Sequence, residues 1–265
     1  MKKDLGQTTC WGDSESGGDC SGVDFSGVTH IYSNNYAFLA FKEDLGQATC
    51  WGHSHYGGDC SGVGFSSVTD IYSNKYAFVV LKKGLGQAVC WGDSVRGGRC
   101  SDVNFSNVTH IHSAEYAFVA LKKDLGQAVC WGGNSRVPII GFHKVNCSGI
   151  DFSNVMDIYS NKYAFVALKR DHGQAVCWGG ILIFSDSGAD CSGVDFSNVT
   201  HIYSNSHAFV ALKKDLGQAV CWGDSDHGGD CSDVDFSNLT DIYSNELGQA
   251  VCWGDSDHGG VPSLP

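Results

Sequence analysis

The stretch Val68–Asn107, VTDIYSNKYAFVVLKKGLGQAVCWGDSVRGGRCSDVNFSN, decides the fold because near-copies of it fill the chain. It contains one of seven tryptophans, and each of them stands in a Cys-Trp-Gly tripeptide. A period of about 40 residues that is rich in glycine, valine and aromatic residues indicates propeller blades or solenoid coils. Successive tryptophans lie 40, 40, 40, 47, 44 and 31 residues apart, at Trp11, Trp51, Trp91, Trp131, Trp178, Trp222 and Trp253.

Each copy predicts three strands, which in the quoted stretch are Val68–Ser73, Tyr76–Leu81 and Gln87–Trp91. The middle strand is apolar throughout, so it must be covered on both faces, as happens when small sheets stack on one another. No segment shows a sustained apolar period of 3.6 residues, so we expect almost no helix.

The sequence therefore predicts an all-β fold, a β-propeller of about six or seven small blades in a single domain spanning residues 1–265. The last unit, 241–260, is truncated because its middle strand is missing. For the ring to close, a predicted N-terminal strand, Gln7–Trp11, would have to join the strands near Asp241 and Gln249.

The pattern I-Y-S-N-x-Y-A-F-V-A-L-K-K-D-L-G-Q-A-V-C-W-G-D resembles repeats of the regulator of chromosome condensation family. The 40-residue spacing is similar to that of the bacterial β-lactamase inhibitor protein that shares this fold. The resemblance covers essentially the whole chain and implies a propeller that acts by binding other proteins. One departure is the hairpin, which reads Asp-Leu-Gly where the family has the shorter Asp-Gly.

The charge balance limits the class of partner. The 265 residues carry 17 Lys and Arg against 29 Asp and Glu, a formal charge of −12. Nucleic acid needs a basic footprint, so we expect another protein as partner and no nucleic acid.

Apolar runs are too short for a membrane span. No signal peptide is visible after Met1, which favours a cytoplasmic or nuclear location. We expect the protein to be a monomer.

Thirteen cysteines occupy two repeated positions, one in Cys-Trp-Gly and one after the following loop. Where that loop is longer, both cysteines persist at its ends. They are either disulfides closing each loop or small packed residues kept reduced in a cytosol. Cys-x-x-Cys is absent, so we expect no metal and no cofactor. The pairs are Cys10/Cys20, Cys50/Cys60, Cys90/Cys100, Cys130/Cys147, Cys177/Cys191 and Cys221/Cys231, which leaves Cys252 without a partner.

The residue before the first-strand isoleucine alternates strictly between histidine and aspartate. One interpretation is a ring of imidazole–carboxylate pairs that responds to pH. The other is duplication of a two-blade unit with both residues facing water. The positions are His30, Asp70, His110, Asp157, His201 and Asp241.

Two loops carry apolar insertions that occur nowhere else in the chain. They occupy the same loop in consecutive blades, so a ring would place them side by side as an apolar partner-binding patch. Alternatively, the loops fold back and bury their own side chains. The predicted binding residues are Val137, Ile139, Ile140, Phe142, Ile181, Leu182, Ile183 and Phe184.

Serine, histidine and aspartate recur with the repeat, whereas a catalytic site is normally a singular arrangement. We therefore expect no catalytic residues and no enzymatic activity. The sequence favours a cysteine-rich, non-enzymatic scaffold for protein–protein interaction. The alternatives are a guanine-nucleotide exchange or chromatin-associated regulator, and an inhibitor that caps an enzyme with its loop face.

Overall fold

A computed structural model describes residues 8–133, 145–170, 173–179, 187–237, 241–244 and 250–253, the last two ranges by their backbone only. The strands are β1 His30–Ser33, β2 Ala37–Lys42, β3 Gln47–Gly52, β4 Asp70–Ser73, β5 Ala77–Lys82, β6 Gln87–Gly92, β7 His110–Ser113, β8 Ala117–Lys122, β9 Gln127–Gly132, β10 Val155–Ser160, β11 Ala164–Lys169, β12 Ala175–Gly179, β13 His201–Ser204, β14 Ala208–Lys213, β15 Gln218–Gly223, β16 Asp241–Ser244 and β17 Ala250–Trp253.

The chain divides into two compact units, an N-terminal unit, Met1–Asn146, and a C-terminal unit, Cys147–Pro265. The N-terminal unit holds the antiparallel sheets β1-β2-β3, β4-β5-β6 and β7-β8-β9. The C-terminal unit holds β10-β11-β12, β13-β14-β15 and the two-stranded sheet β16-β17. The predicted all-β class and the three-stranded repeat are confirmed. Closure of a ring and the single domain 1–265 stay predictions.

Helical structure in the described ranges consists of 3₁₀ segments of three residues, such as Lys83–Leu85 between β5 and β6. Among the described residues, no helix is long and apolar enough to cross a membrane.

The predicted N-terminal strand is wrong over its described part. Residues 8–11 form no strand, and Trp11 is 83% exposed. Elsewhere, as with Trp51 opposite Phe38, the tryptophan strand pairs with a middle strand that precedes it in the chain. No described strand pairs with residues 8–11, so Trp11 lacks this cover.

The apolar middle strands are buried on both faces, as their composition requires. In β5, Ala77, Val79 and Leu81 pack against the following repeat, in a cluster with Phe118 of β8. Phe78 and Val80 of β5 pack against β2 of the preceding repeat. Each sheet of the N-terminal unit therefore shares its core with its neighbour, and burial of these side chains stabilises the stack by about 1.5–3 kcal/mol per large residue.

Each of these tryptophans binds the loop of the preceding repeat to its own sheet. Trp91 stacks on Phe78 with ring centroids 5.3 Å apart, and its indole N–H donates to the Gly57 carbonyl at 3.1 Å. Gly57 has φ +108°, and a Cβ there would lie 2.6 Å from the Phe78 ring. Only glycine lets the backbone approach this ring so closely. The same indole bond joins Trp51 to Gly17, Trp131 to Gly97 and Trp222 to Gly188.

Disulfides close the loops that follow the tryptophan strands. The described bonds have Cα–Cα distances between 5.7 and 5.9 Å. Cys130 and Cys147 are each disulfide-bonded as well. A crosslink over a loop this short stabilises a protein by about 2–4 kcal/mol when the unfolded chain is otherwise free. The described bonds are Cys10–Cys20, Cys50–Cys60, Cys90–Cys100, Cys177–Cys191 and Cys221–Cys231.

Candidate functional site: a tyrosine–arginine cluster

One edge of the N-terminal unit carries four tyrosines and an arginine in mutual contact, here called the Tyr-Arg cluster: Tyr36, Tyr56, Tyr76, Arg96 and Tyr116. Tyr36 stacks on Tyr76 with centroids 5.6 Å apart, and Tyr76 stacks on Tyr116 at 5.5 Å. Tyr56 contacts Tyr36 at 4.5 Å and Tyr76 at 5.5 Å. The stack crosses three consecutive repeats because Tyr36, Tyr76 and Tyr116 are equivalent positions, each next to the start of a middle strand.

Asparagine side chains hold the cluster in place. The Asn74 side chain accepts hydrogen bonds from the backbone N–H groups of Tyr76 and Ala77, both at 2.9 Å. Its amide donates to the Arg96 carbonyl at 2.7 Å. One side chain thereby fixes both the hairpin that carries a tyrosine and the loop that carries the arginine, and it is only 6% exposed.

The preceding repeat uses the same device for Tyr56. Asn34 accepts from the N–H of Tyr36 at 2.8 Å and donates to the carbonyl of Tyr56 at 2.7 Å. The third repeat has Ala114 at this position, and the loop that follows it is the longest in the chain.

Arg96 adds a cation to the tyrosine stack. Its guanidinium carbon lies 4.4 Å from the Tyr76 centroid and 6.0 Å from that of Tyr116, within cation–π range. One guanidinium nitrogen, Nη1, donates to the carboxylate of Asp93, whose side chain is 6% exposed. Within the described part of the chain, the remaining guanidinium N–H groups have no acceptor. His55 lies 3.7 Å from the same carboxylate.

The cluster remains accessible although its members are packed together. Its five side chains are all half-buried. The hydroxyls of Tyr36, Tyr56 and Tyr76 make no hydrogen bond to the described residues, so they can bond to a ligand. Burial raises the pKa of Tyr76, so its phenol stays protonated and remains a hydrogen-bond donor well above neutral pH.

The C-terminal unit carries a diverged counterpart. Tyr163 faces His207 with centroids 5.5 Å apart, and His207 faces His227 at 4.6 Å. His207 thus stands where the N-terminal unit has Tyr76 or Tyr116, and His227 stands where it has Tyr56 or Arg96. The described repeats of the two units therefore differ at this edge.

The eight residues predicted to form an apolar partner-binding patch lie outside the described residues. Val137, Ile139, Ile140 and Phe142 fall in the first extended loop, and Ile181–Phe184 fall in the second. The patch therefore stays a prediction. In the N-terminal unit, a cavity of about 530 Å³ is lined by Arg99, Asp102 and Trp131 among others.

At the first two positions of the histidine–aspartate alternation, His30 and Asp70 do not form an ion pair with each other. His30 lies 3.8 Å from Glu43, and Asp70 lies 3.1 Å from the Lys83 ammonium. Each residue thus meets a charge from the hairpin of its own repeat, which makes these contacts local and solvent-screened.

The sequence alone did not predict the cluster, because Tyr36, Tyr76 and Tyr116 belong to the repeated motif, and repetition argues against a singular site. The usable signal was the loop sequence, where Tyr56 and Arg96 replace the serine found at the same place in the first loop, Ser16.

Comparison with known proteins gives structural likeness only. No protein-family model and no curated protein matches the chain. The receptor kinase CR4 ectodomain from Physcomitrella patens matches with TM-score 0.47 and 16% identity, over 74% of this chain and 50% of that one. The CRINKLY WD40 ectodomain of receptor kinase ACR4 from Arabidopsis thaliana matches with TM-score 0.48 and 15% identity, over 74% and 65%.

A third match belongs to the family that the repeats resemble. Prp20p from Saccharomyces cerevisiae, the yeast RCC1, matches with TM-score 0.41 and 19% identity, over 76% of this chain and 58% of that one. The chain thus spans between half and two thirds of the length of these three structures.

Proposed function

We propose that this chain is a non-enzymatic protein-binding scaffold that captures its partner with the Tyr-Arg cluster. The observation that carries the proposal is the continuous contact among Tyr36, Tyr56, Tyr76, Arg96 and Tyr116 on one accessible edge.

The chemistry of the cluster is that of a protein-interaction surface. Tyrosine and arginine are the residue types enriched in the energetically dominant positions of interfaces. Tyrosine offers a large contact area with few rotatable bonds, so little conformational entropy is lost on binding. Mutual stacking and the asparagine anchors restrict these side chains further before any partner arrives, which lowers the entropic cost of association.

The cluster is also balanced in charge, which favours a protein over a polyanion. Arg96 is paired with Asp93, and Lys75 is paired with Glu115 at 3.0 Å. Phosphate-backbone binding depends on many unpaired cations in a row, and this edge does not present them. Because the tyrosine rings stack on one another at 5.5–5.6 Å, a base cannot insert between them.

The experiment compares proteins captured by the immobilised chain with those captured by the variant Y36S/Y76S/R96Q. Partners of the wild type should be lost from the variant, because its stack and its cation are both removed. A matched control is Y163S, which alters the equivalent tyrosine of the C-terminal unit and should retain them. Circular dichroism and thermal melting establish that both variants are folded.

A second variant separates the two candidate surfaces. The variant I140S/F142S/L182S/F184S removes the predicted apolar patch. It should leave partner capture intact if the Tyr-Arg cluster is the site. Capture that survives in the cluster variant but disappears in the patch variant refutes the proposal and assigns binding to the extended loops.

A further inference from the structure

A repeated lysine–aspartate pair lies at the opposite end of the middle strands from the Tyr-Arg cluster. The last residue of β2, Lys42, places its ammonium 2.8 Å from Asp24. Lys169 at the end of β11 and Lys213 at the end of β14 make the same pair with Asp151 and Asp195, both at 2.7 Å. When each repeat is counted from the segment before its first strand, both residues of each pair belong to one repeat.

The aspartate in each pair also accepts from the serine two residues later. Asp24 accepts from the backbone N–H of Ser26 at 2.9 Å and from its hydroxyl at 2.6 Å. The lysine ammonium, followed by these serine groups, holds the pKa of Asp24 well below its ordinary value. Three donors thus form a carboxylate socket: an ammonium, a backbone N–H and a hydroxyl.

The second repeat keeps the donors and lacks the acid. Glycine, Gly64, stands where the other repeats have aspartate, while Ser66 and Lys82 are retained. Across the described residues, neither the Lys82 ammonium nor the backbone N–H and hydroxyl of Ser66 has a hydrogen-bond or ion-pair partner, although the Lys82 backbone pairs with Gln87 in the sheet. A Cβ built on Gly64 would lie 3.8 Å from the Lys82 ammonium and meets no other heavy atom within 4 Å.

The third repeat fills the socket with a neutral group. Asn104 accepts from the Ser106 N–H at 2.9 Å, so the serine donor is used there although Lys122 has no carboxylate beside it. Among the described repeats, the second is therefore the one that has both the serine and the lysine donors but no side-chain oxygen of the chain that accepts hydrogen bonds from them.

The socket is open to solution. In the first repeat, the Asp24 side chain is 69% exposed and the Lys42 side chain is 11% exposed. The aspartate therefore lies on the solvent side of the lysine that it pairs with. Gly64 and Ser66 are exposed. The turn that ends at Gly46 borders the site, since a Cβ there would lie 3.3 Å from the Ser66 Cα. That turn contributes Leu45, which is 64% exposed, as an apolar rim.

We infer that Lys82 and Ser66 form a binding site for a carboxylate supplied from outside the chain, an aspartate or glutamate side chain of a bound peptide. The three sibling sockets hold a carboxylate in this geometry, which defines the ligand class. The site is independent of the Tyr-Arg cluster and shares no residue with it.

The test is a titration of isotopically labelled protein with blocked aspartate, N-acetyl-aspartate-N-methylamide, followed by nuclear magnetic resonance. The Ser66 amide should shift in a saturable manner, and blocked asparagine at equal concentration should leave it unchanged. The Ser26 amide is the internal control, because Asp24 already occupies its socket. Lys82→Met should weaken binding by about tenfold or more, since one charge-assisted bond is removed.

The decisive variant is Gly64→Asp, which supplies the carboxylate internally. Its Ser66 amide should resonate near the position of the Ser26 amide and should no longer respond to blocked aspartate. Three results would overturn the inference: a Ser66 amide that does not move in the wild type, a response that persists unchanged in Gly64→Asp and Lys82→Met, or inorganic phosphate binding more tightly than the carboxylate. None of them bears on capture through the Tyr-Arg cluster.

Discussion

At the scale of single residues, the asparagines before the middle strands organise the proposed interaction edge. Asn74, whose side chain is buried, satisfies two backbone N–H groups and one carbonyl that would otherwise lack partners. Buried polar groups are costly unless every one is bonded, so this side chain is required by its surroundings.

Asn74→Ala should destabilise the protein by about 1–3 kcal/mol because it leaves buried backbone groups without partners. It should also weaken partner capture, since the Arg96 loop loses its anchor. Asn35→Ala changes an exposed asparagine of the neighbouring hairpin and should cost no more than about 0.5 kcal/mol. Urea unfolding of both variants makes the comparison, and equal midpoints would contradict the role given to Asn74.

The phenol of Tyr72 in β4 should lose its proton at a higher pH than an ordinary tyrosine. Burial first, and then the charge of Asp70, raise its pKa to about 12. In the unfolded chain a tyrosine titrates near pH 10. The neutral phenol therefore contributes stability that is fully present below pH 10 and is lost as the pH rises toward 12.

Tyr72→Phe removes this titration, so its stability should fall less than that of the wild type between pH 10 and pH 12. Phenolate absorbance provides the direct check, because the wild-type minus variant difference should develop near pH 12. A difference curve centred near pH 10 would show that the environment of Tyr72 has been misjudged.

At the scale of elements, the loop after each tryptophan strand packs against the repeat that follows it. Gly57 lies in the loop after β3, yet its carbonyl accepts from Trp91 and its Cα faces Phe78, both of the next repeat. Packing of one repeat therefore depends on the backbone conformation of its neighbour, as expected when stacked modules stabilise each other.

Gly57→Ala should destabilise the protein by about 1–3 kcal/mol, because the new methyl meets Phe78 and alanine is strained at positive φ. Gly62→Ala is the matched control in the same connection, where a Cβ meets nothing within 4 Å. Thermal melting should separate the two variants, and a Gly57→Ala protein as stable as Gly62→Ala would refute the close approach.

The strands and the loop cysteines were predictable because they depend on local pattern. Alternation, apolar runs and Cys-Trp-Gly placed β4, β5 and β6 to within two residues. The Tyr-Arg cluster and the carboxylate socket were not predictable, because their contacts join residues 18 to 40 positions apart whose proximity appears only after the strands pair. Trp11 was misplaced because a repeated motif was assumed to have its partner strand everywhere.

At the scale of the whole molecule, the chain is an array whose repeats are individually too small to fold alone. Sheets of three short strands need neighbours to bury both faces. Crosslinks within the repeats supplement the shared cores, and twelve of the thirteen cysteines are disulfide-bonded.

Alkylation before reduction should label the native chain at one site, since twelve of its thirteen cysteines are disulfide-bonded, and alkylation after reduction should label all thirteen. Reduction should also lower the melting temperature, because the loop constraints are lost. Intact-mass measurement counts the labels. Thirteen labels on the unreduced protein would show that the loops are closed by packing alone.

The most direct test of the central claim is a hydrogen–deuterium exchange footprint of the chain with its captured partner. Binding through the Tyr-Arg cluster predicts protection of the hairpins at 34–37 and 74–77 and of the loops at 53–58 and 93–97, with unchanged exchange at the C-terminal unit's equivalent hairpin, 205–208. Protection confined to the extended loops, or to the turns at 43–46 and 83–86, would contradict it.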